Sequence, residues 1–197
     1  MVPGQRISQR EVADLFSTST TPVREAFQVL VAQGFVRIDR NRGAVVACPS
    51  PEQIREIYEI RKALESLAVI EAIPNLGQAD FDHLQLLNQQ MREAHGGAER
   101  VEFNRQFHAR LYRPAGMLKL VELIDQLRGA VSYYVERAYQ ATEVADRAAA
   151  DHEAILVACR RSDRLAAAAA LAEHLEQSAV AAVASAERLD RLAEVAL

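Results

Sequence analysis

Cysteine is scarce in this chain. Only Cys48 and Cys159 occur in 197 residues, far apart and with no CxxC pairing. That excludes a disulfide-stapled scaffold and a cysteine-based zinc site, and points to a reduced, cytoplasmic setting. Glycine and proline are scarce too, 8 and 6 residues. Together they make about 7 % of the chain against a usual combined share near 12 %. So few breakers beside so much Ala and Leu imply a mainly α protein. No apolar run approaches the roughly 18 residues that span a bilayer, so no membrane association is expected. The opening Met1-Val2-Pro3-Gly4-Gln5-Arg6 has no apolar stretch behind its charge and does not read as a secretory signal. Apolar and charged residues are plentiful, at 50 % and 25 %, enough for a packed soluble core.

The net charge of −4 conceals an asymmetry. Residues 1–50 hold six Arg and no Lys against four acids, a net of +2, which leaves −6 for the rest. Arginine without lysine suits bidentate contact with phosphates or bases. The same segment has a readable order of elements. Ser8-Gln9-Arg10-Glu11 has the spacing of a capping box and opens a short helix to about Phe16, with Val12 and Leu15 expected inward. After the polar turn Ser17-Thr18-Ser19-Thr20, Thr21-Pro22 starts a second helix. Its apolar stripe is Val23, Ala26, Phe27, Leu30 and Val31. Phe35–Ile38 and Ala44–Val46 are β-prone runs around a basic turn, hence a small hairpin. Helix, turn, helix and basic hairpin outline a winged helix-turn-helix.

In that outline the start of the second helix would enter a major groove. Ser19, Thr20, Thr21 and Arg24 are therefore the candidate DNA contacts, together with Arg10 on the helix before. Arg40, Arg42 and Gly43 at the wing tip would approach a phosphate or the minor groove. Any one of these residues is ordinary on a surface; the ordered set is not.

From Ser50-Pro51-Glu52-Gln53 onward only helices are expected, near 51–72, 79–94, 99–113, 117–140, 145–161 and 163–193. The breaks between them fall at Pro74–Gly77, Gly96-Gly97, Pro114–Gly116 and Ser162-Asp163. Ile57, Ile60, Leu64 and Leu67 mark the expected buried stripe of the first. The fold class is thus a winged head over residues 1–48 and an all-α six-helix bundle over 51–197. Tyr133 and Tyr134 are read as core rather than site.

Five histidines remain to be placed. Asn104 and His108 share one helix face, while His152 and His174 sit among apolar neighbours on two later helices. His83 and His95, near helix ends, read as surface groups. Three imidazoles and one amide oxygen could hold a divalent ion, zinc first, with nickel or manganese next. A buried histidine satisfied within the core is the competing interpretation. Each imidazole must be neutral to ligate, so binding should weaken toward pH 6.

The residues Ile7–Ala13, Thr21-Pro22-Val23-Arg24-Glu25-Ala26-Phe27, Gly34-Phe35-Val36 and Arg42–Val46 resemble the GntR family of bacterial transcription regulators. The body resembles the FCD effector-binding domain of its FadR-type branch, in the six-helix form of the VanR-like subgroup. Asn104-Arg105-Gln106-Phe107-His108, Ala150-Asp151-His152-Glu153 and Glu173-His174-Leu175 match that domain's ligand positions. The resemblance implies Asn104, His108, His152 and His174 as metal ligands, and Arg61 as a residue lining the effector cavity. It further implies a homodimer on a palindromic double-stranded DNA operator, a small carboxylate effector, and repression relieved by it. Two departures stand out. Thr20 occupies the position where the family carries a base-reading Arg, and Thr lacks the fork that reads guanine. Pro3-Gly4 comes so near Met1 that the family's first helix is expected to be missing from the head. The alternatives are a metal-binding helical protein without DNA binding and a metal-dependent hydrolase. Against the latter there is no HExxH, and only Glu153 and Glu173 offer a base beside the ligands.

Overall fold

In a computed structural model, residues 4–32, 35–39, 43–47 and 49–195 are described, without the side chains of residues 190 and 192–195. Cys48, Arg40 and Arg42 lie outside the described residues. The chain forms two compact units, Met1–Pro49 and Ser50–Leu197.

The first unit contains α1 (Gln9–Leu15), α2 (Thr20–Ala32), β1 (Val36–Asp39) and β2 (Gly43–Val46). The Ser8 hydroxyl caps α1 by accepting the Glu11 N–H at 3.4 Å. The strands are antiparallel, with Val36 opposite Val46 and Asp39 opposite Gly43. Gly43 takes φ +75° at the tip, a conformation that disfavours any side chain. The segment ahead of α1 runs along the other edge of β2, where Ile7 N–H donates to Ala44 O at 2.8 Å and Val46 N–H to Gln5 O at 2.9 Å. Ala13, Val23, Phe27, Val36 and Ala44 form its small core, with Ile7, Val12 and Leu30 partly buried against it.

That core is narrower than the sequence suggests. Leu15, expected inward, is exposed at the end of α1, and Ala13 is the buried residue instead. On α2, Val23 and Phe27 are buried whereas Ala26 and Val31 face solvent. A seven-residue helix and two four-residue strands cover only a thin strip of α2, so the flanks of its apolar stripe stay wet.

The second unit contains α3 (Pro51–Ala72), α4 (Gln78–Glu93), α5 (Gly97–Tyr112), α6 (Leu118–Ala138), α7 (Thr142–Arg160) and α8 (Arg164–Val195). Short 3₁₀ turns at Ile73–Asn75 and Arg113–Ala115 follow α3 and α5. These are six α-helices among the described residues, at positions close to those expected. Ser50 starts α3 with a reciprocal cap, its hydroxyl accepting the Gln53 N–H while Gln53 accepts the Ser50 N–H. The long α8 packs against α3, α6 and α7, and α4 lies against α5 and α7. One apolar cluster runs through all six, from Ile54 and Tyr58 on α3 to Leu171, Leu175 and Ala182 on α8. Tyr134 is buried in it and Tyr133 packs at its edge.

The buried stripe of α3 differs from expectation in its angle. Ile54, Tyr58, Arg61, Glu65, Ala68 and Ala72 face inward, while Ile60 and Leu67 are exposed at 44 % and 42 %. The helix is turned so that two charged residues, not two aliphatic ones, enter the core.

α5 begins hard against the end of α6. A Cβ at Gly97 would collide with the Glu136 carbonyl oxygen and the Gln140 side chain. The approach is fastened by Arg100, which donates to Tyr139 O at 2.8 Å and Ala94 O at 3.2 Å. Gly97→Ala should therefore cost about 1–3 kcal/mol, as overpacking does. Thermal unfolding checks it, since each kcal/mol should lower Tm by about 2–4 °C in a chain of this size. An unchanged Tm would refute the close contact.

Candidate DNA-binding face and metal site

In the first unit, Arg10, Ser19, Thr20, Thr21 and Arg24 are all exposed, clustered on α1 and the start of α2. The helix begins at Thr20, so its first N–H groups lie at the end that carries Thr20 and Thr21, with Arg24 about one turn further along. Free N–H groups and the dipole make that end attractive to phosphate. Gly43 is exposed at the hairpin tip; its neighbours Arg40 and Arg42 lie outside the described residues.

In the second unit the structure brings His108 of α5, His152 of α7 and His174 of α8 together. All three are buried, and their ligand atoms lie within 4.8 Å of one another. Asn104 lies one turn before His108, itself buried at 7 % exposure. His83 and His95 are exposed elsewhere.

The hydrogen bonds around the rings fix their tautomers. Tyr112 Oη donates to Glu65 Oε2 at 2.5 Å, so it accepts from His108 Nδ1 at 2.8 Å. Asn88 Nδ2 donates to Ala149 O and Glu153 Oε1, both at 2.9 Å. Its Oδ1 therefore accepts from His152 Nδ1 at 3.0 Å. Asp151 Oδ2 accepts from His174 Nδ1 at 3.4 Å. Every Nδ1 proton is thus spent outward, and every Nε2 lone pair is left for the centre. His108 and His152 Nε2 face each other at 3.3 Å with no proton between them, a repulsive pairing that a shared cation relieves. Orienting ligand imidazoles through the opposite nitrogen is how metal-binding histidines are set. Asn104 Oδ1 has no hydrogen-bond partner although it is buried, which is costly unless something else satisfies it. The residues present fit a divalent ion held by three nitrogens and an amide oxygen.

Beside them lies a cavity of about 360 Å³ lined by Tyr58, Arg61, Asn104, Arg128, Tyr139 and His174 among others. Four buried side-chain atoms among the described residues have no partner: Tyr58 Oη, Asn104 Oδ1, Arg128 Nε and Arg110 Nε. Three of the four belong to residues of this cavity wall. Buried polar atoms are almost always satisfied, by protein groups or by water, so these three leave the cavity wall with hydrogen-bonding capacity. Arg61 lines the cavity and is also half of a buried ion pair, its Nε donating to Glu65 Oε1 at 2.7 Å and its guanidinium lying 4.4 Å over the Tyr58 ring.

The electrostatics follow from burial. Burial holds His108 and His152 well below the ordinary imidazole value of 6.5, with the Arg128 charge pushing the same way. Burial also lowers His174, against the opposing pull of Asp151. All three are neutral at pH 7, as ligation requires. Burial alone would raise the Glu65 carboxyl, but Arg61, Arg128 and the Tyr112 hydroxyl outweigh it and hold it below the usual carboxylate range.

Sequence reading missed Glu65, Tyr58, Arg128, Tyr112, Asn88 and Asp151. A signal existed for some. Glu65 is four residues after Arg61, and Tyr112 four after His108, the spacing at which helix neighbours meet. Arg128 and Asn88 reach the site from other helices, and nothing local announces them.

Comparison with known proteins agrees with this architecture. Residues 56–177 match the FCD domain, and residues 1–46 match the bacterial regulatory proteins of the gntR family. The chain belongs to the GntR family. The HTH-type transcriptional regulator McbR of Escherichia coli K12 is 30 % identical over 182 residues, covering 89 % of this chain and 82 % of that protein. The solved structure of E. coli McbR/YncC superposes with a TM-score of 0.80 over 90 % of this chain and 86 % of that one, at 28 % identity. The regulator YdhC of Bacillus subtilis is 28 % identical over 84 % of this chain and 75 % of its own. The HTH-type transcriptional repressor RspR of E. coli K12 is 26 % identical over 90 % and 79 %. The chain is therefore a DNA-binding transcription regulator of the FadR-type branch with an FCD domain. Such proteins are not enzymes, which sets aside the hydrolase alternative. No helix among the described residues is long and apolar enough to cross a membrane.

Two consequences are measurable. Glu65→Gln leaves two buried guanidiniums with no countercharge and should cost about 3–5 kcal/mol, read from denaturant midpoints; a loss under 1 kcal/mol would refute the network. The metal-free chain should also lose stability as pH falls below 6.5. The unfolded chain takes up protons on these three imidazoles near their ordinary value, whereas the fold refuses them until lower pH. Each group contributes a slope of up to about 1.4 kcal/mol per pH unit in that window. His108→Gln with His174→Gln should flatten the curve between pH 6.5 and 5.

Proposed function

We propose that this GntR-family chain is a cytoplasmic repressor. Its residues 1–48 bind a palindromic operator, and its residues 51–197 bind a divalent metal, a small carboxylate effector and a second copy of the chain. The observation that carries the sensor is the convergence of three unprotonated Nε2 atoms beside a cavity whose wall holds unpartnered polar atoms. Asn104, His108, His152 and His174 would hold the ion, zinc first, with nickel or manganese as the other choices. A metal with four such protein ligands keeps open positions and its full charge, which a carboxylate on the cavity side would complement. Arg61 supports the same anion from the cavity wall.

In the head, Arg24, Thr20 and Thr21 would read or grip the major groove, with Ser19 and Arg10 beside them and Arg40, Arg42 and Gly43 at the wing. The likeness to RspR, a repressor by its name, supports repression as the sign. Exposed apolar side chains on the helical unit, among them Ile60, Leu67, Leu118, Leu165 and Val180, support a homodimer, whose twofold axis matches a palindrome. The effector would act by stabilising one dimer geometry over another.

Elemental analysis of purified protein, parent against His108→Ala with His174→Ala, is the direct test: metal content should vanish in the double variant while operator binding persists. Content that does not fall overturns the site. For the head, Arg24→Ala should lose most of a salt-sensitive gel shift on the chain's own upstream region. A parent that binds metal but no duplex returns the chain to the metal-binding helical alternative. Light scattering at micromolar concentration should give twice the 21.8 kDa monomer mass.

A further inference from the structure

Three guanidiniums line the cavity, Arg61, Arg105 and Arg128, and they are not equally engaged. Arg105 is paired with Glu102 at 2.7 and 2.9 Å. Arg61 is committed: its Nε bonds Glu65 Oε1 at 2.7 Å and its plane lies on Tyr58. Arg128, only 9 % exposed, reaches Glu65 Oε2 at 3.3 Å and the Asn104 carbonyl oxygen at 3.4 Å, both near the limit of a hydrogen bond. Its Nε has no partner at all. The Glu65 oxygen it shares is already served by Tyr112 Oη at 2.5 Å. Arg128 is therefore a buried cation with unused donors, in the wall of a cavity that also presents His174 and Asn104.

The charges around it have a consequence for the metal. The four ligand groups assigned to the ion are neutral, so a dication among them keeps its whole charge. The cavity wall carries Arg61, Arg105 and Arg128 against Glu102 and Asp125. Arg105 is held by Glu102 and Arg61 by Glu65 behind the wall, which leaves Arg128 as the least neutralised charge. Arg128 shares the wall with His174 and Asn104 and reaches the Asn104 carbonyl oxygen at 3.4 Å, so its positive charge opposes a cation held beside them. Asp151, behind His174, and Glu153, behind Asn88, offset it only in part, since each sits beyond a ligand ring. An anion seated between Arg128 and the ion would be attracted by both and would cancel their repulsion.

We propose that Arg128 is the anion clamp of this cavity and that its charge makes metal and carboxylate bind cooperatively, so that neither occupies the site well without the other. This rests on the metal and carboxylate reading above and deepens it: the regulator responds to the coincidence of the two. By linkage, the factor by which the anion tightens the metal is the factor by which the metal tightens the anion.

Calorimetric titration of the full metal-free chain with Zn²⁺, in acetate and in chloride at equal ionic strength, tests it. For the parent, acetate should tighten zinc about tenfold, within the usual range of coupling between sites. Arg128→Gln should bind zinc more tightly than the parent in chloride and lose the gain from acetate. Asn104→Asp, which supplies a negative charge among the ligands, should do the same without touching Arg128, and it decides the matter if Arg128→Gln fails to fold by circular dichroism. A parent whose zinc affinity is indifferent to acetate, or an Arg128→Gln or Asn104→Asp protein that keeps the full acetate gain, overturns the proposal and leaves the metal site standing. Zinc affinity unaffected by His108→Ala with His174→Ala would instead remove the metal site on which it rests.

Discussion

The helical unit is organised around one carboxylate. Glu65 is completely buried and accepts from Arg61, Arg128 and Tyr112, groups on α3, α6 and α5. An ionised carboxylate in an apolar interior is tolerable only when paired and hydrogen-bonded, so these three helices must meet at one geometry or not pack at all. The demand sets the rotation of α3. Turning Arg61 and Glu65 inward leaves Ile60 and Leu67 in solvent, although they are the better hydrophobic residues. Buried ionic networks are often poor sources of net stability. Here the network does something else: through Tyr112 it decides which nitrogen of His108 carries the proton, and so whether the other can ligate.

Legibility in the sequence followed from how local each cause is. Helix ends set by neighbouring residues were readable. Ser50-Pro51 with Gln53 places the start of α3, and scarce glycines and prolines mark the breaks between helices. The helix-turn-helix was readable because its order of elements is compressed into some 45 residues of local signals. From the residues alone, His152 and His174 stood out by their apolar neighbours and His108 by sharing a helix face with Asn104; the resemblance joined them into one ligand set. The rotation of α3 was not readable, because apolar periodicity assumes that charge faces water, and the partner that reverses this for Arg61 and Glu65 is Arg128, some 60 residues away. The cavity was invisible for the same reason: its wall is assembled from α3, α5, α6 and α8. Leu15 and Val31 show the complementary failure. Their pattern is right for burial, but the head is too small to cover them.

The three imidazoles are alike in the sequence and unlike in the structure. His174 gives its Nδ1 proton to a carboxylate, His152 to an amide oxygen, and His108 to a phenol that passes its own proton to Glu65. Hydrogen bonding to an anion makes an imidazole a stronger donor. His174 should therefore be the most basic ligand and His152 the least, with His108 tied electrically to the ion pairs of the cavity wall. In the proposed sensor, a guest that draws Arg128 away from Glu65 would change the acceptor on which Tyr112, and behind it His108, depends.

The two proposed sites leave opposite marks on the chain, for a physical reason. Residues proposed to meet DNA must be free in the unbound protein; Arg10, Thr20, Thr21 and Arg24 are exposed, and nothing about their surroundings distinguishes them from solvating side chains. They are known by their order and by the fold that presents them. The residues proposed to hold an ion and an anion are withdrawn from water, where neutral imidazoles and a half-satisfied guanidinium would discriminate strongly between charges. Those residues are marked by their own discomfort: lone pairs facing at 3.3 Å, a buried amide oxygen and a buried Nε without partners. In the proposed sensor, the free energy gained when metal and anion satisfy these groups would be what is available to move a DNA-binding equilibrium.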